Sequence, residues 1–244
     1  MKTSFLLSLP ISFLALSPLL AGPTFEVRNT KGDAIHIELL EFNDDVVTFE
    51  TTGGKAGKEH NLKIDRFDAD SQTKIREEAQ NLKPRPFKLD TTVSVSKKRD
   101  KLGYFMVQQK VSTKVSIRNL SMRDFPETKA YMTYFGRDRS NPDEYKVMAR
   151  KTFDCKIASR GLFEAEVDGF KTKYDSDKKG AGNIGGYQYD GYLLVLMDDD
   201  GNILHAKTSD PGLRSMIETE PAKAGRLSKV ATNKILNKEL EPYE

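Results

Sequence analysis

The chain has 244 residues and a mass of 27.5 kDa, with 37% hydrophobic and 31% charged residues and a mean hydropathy of −0.58; that is enough apolar material for one large core or two small ones, and argues against a fibre or a polytopic membrane protein. Thirty-nine Lys and Arg against 36 Asp and Glu leave a charge of +3, too small an excess for a dedicated nucleic-acid surface, so no nucleic-acid partner is expected. One Cys cannot close an internal disulfide and three His cannot alone furnish a rich metal site, which argues against disulfide scaffolds and Cys-rich zinc modules.

Residues 1–21, MKTSFLLSLPISFLALSPLLA, carry one base, Lys2, and no other charge follows until Glu26. Ser8, Pro10, Ser12 and Pro18 interrupt the apolar run, making it a poor spanning helix but a suitable signal-peptide core. Cleavage is expected between Ala21 and Gly22, because a cut after Gly22 would put Pro23, with its fixed ring and missing N–H, just past the scissile bond. Leu19 is larger than the small residue usual three places before the cut, which leaves a retained anchor as the alternative. The expectation is export to the periplasm or extracellular space, with no transmembrane segment after signal cleavage. The longest later apolar run, 193–197, is far too short to cross a bilayer.

Residues 22–82 read as a first domain. Ile35, Ile37 and Leu39 alternate, as do Val47 and Phe49 after the turn signal Asn43-Asp44-Asp45, and Leu62 and Ile64 resume the pattern after the glycine-rich turn at 53–57. Beyond residue 68 the period becomes helical: Asp68 or Asp70 can cap a helix to residue 82, with Ile75, Ala79 and Leu82 on one face. Pro84 and Pro86 stop it, and 83–87 is expected to be a linker.

Residues 88–210 read as strand throughout. In the clearest element Val107, Gln109, Val111, Thr113, Val115 and Ile117 share one face, while Gln108, Lys110, Ser112, Lys114, Ser116 and Arg118 share the other. Further strands are expected at 92–97, 129–135, 145–157, 162–167, 187–197 and 203–208, the last two joined by the turn Asp198-Asp199-Asp200-Gly201-Asn202. Seven strands at this spacing point to an immunoglobulin-like β-sandwich. Cys155 falls within a strand, where it can be buried; an intermolecular bridge or a reactive thiol is the alternative. Residues 211–244 read as a partly helical tail, with Leu227, Val230, Ala231 and Ile235 on one stripe.

Phe25, Lys31-Gly32, Ile35, Leu39-Leu40, Asp44 to Val47, Phe49 and the run Leu62-Lys63-Ile64-Asp65-Arg66-Phe67 before Asp70 resemble the SLA-one homology domain of exported bacterial proteins, although Phe25 stands where that family usually carries Trp. The resemblance covers residues 24 to about 80 and implies an SH3-like small barrel. In the eukaryotic member this domain binds an Asn-Pro-Phe-containing peptide, and no residue here maps onto that binding site. The second domain resembles, more vaguely, the β-sandwich domains that accompany it. The fold expected is therefore mainly β, an SH3-like small barrel with a short helix followed by an immunoglobulin-like β-sandwich.

No catalytic, cofactor-binding or metal-binding set emerges. Gly180-Ala181-Gly182-Asn183-Ile184-Gly185 has the letters of a dinucleotide fingerprint, but charged residues precede it and a strand follows, the reverse of the strand–helix setting that motif needs. Asp175 and Asp177 lack the bidentate Glu of a calcium loop at the twelfth position, where Gly186 stands. His36, His60 and His205 are scattered. Two groups remain as candidate ligand contacts. Lys97, Lys98 and Arg99, with Lys101, form the densest basic run, expected at a hairpin tip beside Tyr104 and Phe105, where it either guards against edge pairing or meets a polyanion. Tyr187 and Tyr189 alternate and share a face, for sheet packing or for stacking on a ligand. The leading expectation is a non-enzymatic binding or structural protein whose partner is an envelope or extracellular protein or peptide. A carbohydrate or polyanion module, with polysaccharide as ligand, is the alternative, and a hydrolase with an unrecognised site comes third.

Overall fold

Alternating apolar and polar residues become antiparallel strand along most of the chain, and the protein is mainly β. The computed structural model describes residues 22–43, 45–52, 58–83, 85–177 and 185–243, without the side chain of Met216. The expectations for residues 1–21, Asp44, the turn at 53–57, Pro84 and the glycine run through Ile184 lie outside the described residues. The chain divides into two compact units, Met1–Arg85 and Pro86–Glu244. Among the described residues no helix is long and apolar enough to cross a membrane.

In the first unit, β1 (Thr24–Arg28), β2 (Ala34–Asn43), β3 (Val46–Thr51) and β4 (Glu59–Lys63) form one meander in that order. A 3-10 turn at Ile64–Arg66 then returns the chain to its start, where Phe67 bridges Asn29 just after β1. Of the two capping candidates, Asp68 caps α1 (Ala69–Ala79), its carboxylate accepting the Ser71 N–H at 2.9 Å. The Ser71 hydroxyl in turn accepts the Arg28 N–H at 2.8 Å, tying the helix to the end of β1. Ile75 projects from α1 into a core of Val27, Ile37, Leu39, Val47, Phe49 and Phe67, so helix and sheet bury one another's apolar faces.

The second unit contains β5 (Leu89–Lys101), β6 (Met106–Asn119), β7 (Phe125–Asp138), β8 (Tyr145–Ile157), β9 (Leu162–Asp175), β10 (Tyr187–Met197), β11 (Ile203–Thr208), α2 (Pro211–Thr219), α3 (Pro221–Lys229) and β12 (Ile235–Leu236). They make a three-stranded sheet in the order β5-β6-β9 and a five-stranded sheet in the order β11-β10-β7-β8-β12. Between the sheets, Val111, Val115 and Ile117 of β6 meet Met132 and Tyr134 of β7, Cys155 of β8, and Leu194 and Leu196 of β10. At the β5 and β11 edges, Thr91 and His205 share a side-chain hydrogen bond of 2.9 Å.

The alternate residues of β10, Leu193, Val195 and Met197, face the other way, against Leu213 of α2, Ala224 and Leu227 of α3, and Leu236 and Leu240. The five-stranded sheet is therefore covered on both faces, and the unbroken apolar run at 193–197 is the sequence signature of that double burial. Residues 211–243, read from the sequence as a tail, supply this cover. Their single expected stripe is split: Leu227 ends in α3, while Ile235 pairs with Lys146 as a strand. Pro211 and Pro221 begin the two helices, where a missing N–H leaves no helical bond unmade.

Candidate functional site

A β-bulge at Tyr189–Gly191 displaces Asp190 from the β10–β7 ladder, and bulges of this kind re-aim side chains beside sites. Beneath α2, α3 and the C-terminal segment, on the outer face of the five-stranded sheet, lies a cavity of about 280 Å³. Phe135, Leu213 and Leu240 give it apolar surface, and Asp190, Asp210, Lys223, Lys238 and Tyr145 bring charge and hydrogen-bonding groups to it.

Most of these polar groups are fixed by partners. Arg137 pairs with Asp190 at 3.3 Å, donates to the Tyr145 hydroxyl and lies 4.9 Å over its ring. Lys223 pairs with Glu241 at 3.1 Å, and Lys238 approaches Glu239 at 3.7 Å. The Asp210 carboxylate accepts the Leu213 N–H at 2.8 Å, at the start of α2. Burial pushes the Tyr145 phenol above its ordinary value, so at neutral pH it keeps its proton. Leu240 is held at φ 59°, the left-handed region, by a bond from its N–H to the Asn237 carbonyl; strain of this sort persists only where the surroundings over-determine it, and it gathers at ligand sites.

The residues singled out from the sequence lie elsewhere in the same unit. Tyr189 is buried between the sheets, beside Tyr134 and Phe170, and the Lys97 ammonium lies 4.9 Å over its ring. Burial drives its phenol pKa upward. A sugar stacking on Tyr189 would have to displace that lysine. Tyr187 donates to Glu144 and carries the Lys146 ammonium 5.1 Å over its ring. The structure thus brings Lys97 and Tyr189 together, an arrangement that linear spacing did not reveal. Lys98 and Arg99 are exposed on β5. The basic run is not itself the hairpin tip. Residues 97–101 pair with β6 to the end of the strand, and the tip is Leu102, Gly103, Tyr104 and Phe105.

The three histidines stand apart: His36 is 3.4 Å from Glu26, His60 stacks on Phe49, and His205 meets Thr91. Among the described residues no group of three or more His, Cys, Asp or Glu could hold a metal ion. Cys155 is buried in β8 and desolvation pushes its thiol up to about 11, far from the range of a reactive thiolate. The cavity went unseen in the sequence because its residues come from β7, β8, β10, two helices and the C-terminal segment; the local signals were the β10 bulge around Gly191 and the Asp-Pro pair at 210–211. Among known proteins, no family model matches the chain and no curated protein matches it.

Proposed function

We propose that the chain is an exported, non-enzymatic binding protein that acts through protein contacts in the cell envelope. The observation that carries this reading is the cavity on the helix side of the five-stranded sheet, which has room for one apolar side chain of a partner and a charged border to hold the flanking backbone. Its ionised groups are engaged in ion pairs and a helix cap, and its tyrosine is protonated at neutral pH, an arrangement suited to holding a ligand in place. In this reading residues 1–21 direct export.

The domain identities belong to the same proposal. For the first unit, an SH3-like barrel of the SLA-one type is supported by the four-stranded meander, the 3-10 turn and the return of Phe67 to Asn29. For the second, an immunoglobulin-like sandwich is supported by strand order. β5-β6-β9 follows the A-B-E order, and β11-β10-β7 follows G-F-C, with β8 beside β7 on the second sheet.

A photo-crosslinking side chain placed at the exposed Lys238, activated in intact cells, should yield one predominant protein adduct, while the same group at Lys129 on β7 should not. Equal yields from the two positions, or no protein adduct from 238, would reject the reading.

A further inference from the structure

On the solvent face of the three-stranded sheet, the registers of both strand pairs place Lys98 opposite Lys110 and Lys110 opposite Lys171. Three exposed lysines therefore lie in one row across all three strands. Like charges directly opposite one another destabilise a sheet, so the row calls for a cause. Lysines on edge strands discourage pairing with a second chain, which accounts for Lys98 on β5 and Lys171 on β9. It does not account for Lys110, because both edges of β6 are already paired.

The row stands just behind the β5–β6 tip. There Tyr104 is 99% exposed, Phe105 54% and Leu102 50%, an apolar cluster left largely uncovered by the described residues of its unit. The tip is nonetheless fixed, since the Phe105 carbonyl accepts both the N–H and the hydroxyl of Ser176 at 2.8 Å. Between residues 97 and 110 and from 171 to 177 there are seven bases, Lys97, Lys98, Arg99, Lys101, Lys110, Lys171 and Lys173, against three acids, Asp100, Asp175 and Asp177.

We propose that this hairpin docks onto an anionic phospholipid bilayer, Leu102, Tyr104 and Phe105 entering the interface while the lysine row meets headgroup phosphates. At a rise of roughly 3.3 Å per residue the row lies about 13 Å behind Leu102, and Lys173, opposite Gln108, lies nearer. Interfacial segments enter by about 5–10 Å, which brings Lys173 to the phosphates and leaves the remaining lysines to span the gap with their long side chains. Tyr and Phe suit the boundary layer, and each lysine gains from the negative surface potential. A soluble polyanion would satisfy the lysines but leave three apolar side chains in water. This surface lies on the opposite side of the second unit from the cavity, and its use does not depend on the cavity's ligand.

The chain contains no Trp, so Tyr104→Trp in the full-length protein places the only indole at the tip and reports on that point alone, whatever residues 1–21 do. On adding vesicles of equal phosphatidylcholine and phosphatidylglycerol, its emission should shift to the blue and be quenched by bromine on the upper acyl carbons. In that background Lys98→Gln, Lys110→Gln and Lys171→Gln together should weaken partition roughly a hundredfold, at roughly fivefold per lysine. If the triple variant folds poorly by circular dichroism, Lys110→Gln alone should give the fivefold loss. Emission unmoved by anionic vesicles overturns the proposal, as does an equal shift on pure phosphatidylcholine. So does tight binding to dextran sulfate, in place of vesicles, with the indole still in water.

Discussion

Leu240 combines two opposing contributions in one residue. Its side chain is buried in the outer core, yet its φ of 59° is one that a side-chain-bearing residue adopts at a cost of about 1–2 kcal/mol. Truncation to Ala removes the packing and keeps the strain, whereas Gly removes both. Leu240→Gly should therefore be less damaging than Leu240→Ala by about 1 kcal/mol, reversing the usual order of these two substitutions, as read from urea unfolding midpoints. Two further residues make stability depend on pH, in opposite directions. Burial, helped by Lys207, holds His205 below its ordinary 6.5, so the unfolded chain binds the proton more readily; stability is full above pH 6.5 and declines as the pH falls below it. Cys155 is raised from 9.0 to about 11 by burial, so the unfolded chain loses its proton first. That stability is full below pH 9 and declines as the pH rises towards 11. Thermal melting of His205→Asn should be flatter on the acid side than that of the wild type, and Cys155→Ala flatter on the alkaline side.

Strand interiors were legible from the sequence wherever alternation runs unbroken. In β6, Val107, Gln109, Val111, Thr113, Val115 and Ile117 were assigned to one face by period alone; the last five are buried and Val107, near the tip, is half-buried. The sequence reading failed where the period slips. The fifth of the seven strands expected in the second domain was to end at residue 167, but β9 continues to Asp175, because a bulge in its pairing with β6 shifts the alternation by one residue. Gly169 makes that bulge possible: a Cβ there would lie 2.3 Å from the Val111 carbonyl oxygen. Gly169→Ala should therefore push β9 away from β6 and lower the melting temperature, and a variant that melts with the wild type would mean the bulge has room to spare. The cover of the outer sheet face makes a second demand at this scale. Leu227 is its large buried side chain from α3, beside Ala224, and Leu227→Ala should cost about 2–5 kcal/mol in denaturant unfolding, as for other large-to-small changes in a core.

For the molecule as a whole, the division at residues 85 and 86 leaves the second unit with both of its hydrophobic clusters, one between the sheets and one beneath the helices. A fragment of residues 86–244 should fold cooperatively by itself. One ending at residue 210 would leave Phe135, Val147, Leu193, Val195 and Met197 uncovered and should aggregate, which light scattering during refolding would detect. The mainly β composition and most strands could be read in advance because they rest on neighbours two residues apart; the cavity could not, because Phe135, Asp190 and Lys238 meet only through tertiary pairing. The helical cover also imposes an order in time. It is made after the sheet that it covers, and at roughly 5–20 residues per second the ribosome needs about 2–9 s to pass from Met197 to Leu240. Throughout that interval the outer face of β10 in the nascent chain is without its partner, so production of this protein depends on whatever shields β10 until the residues that cover it emerge.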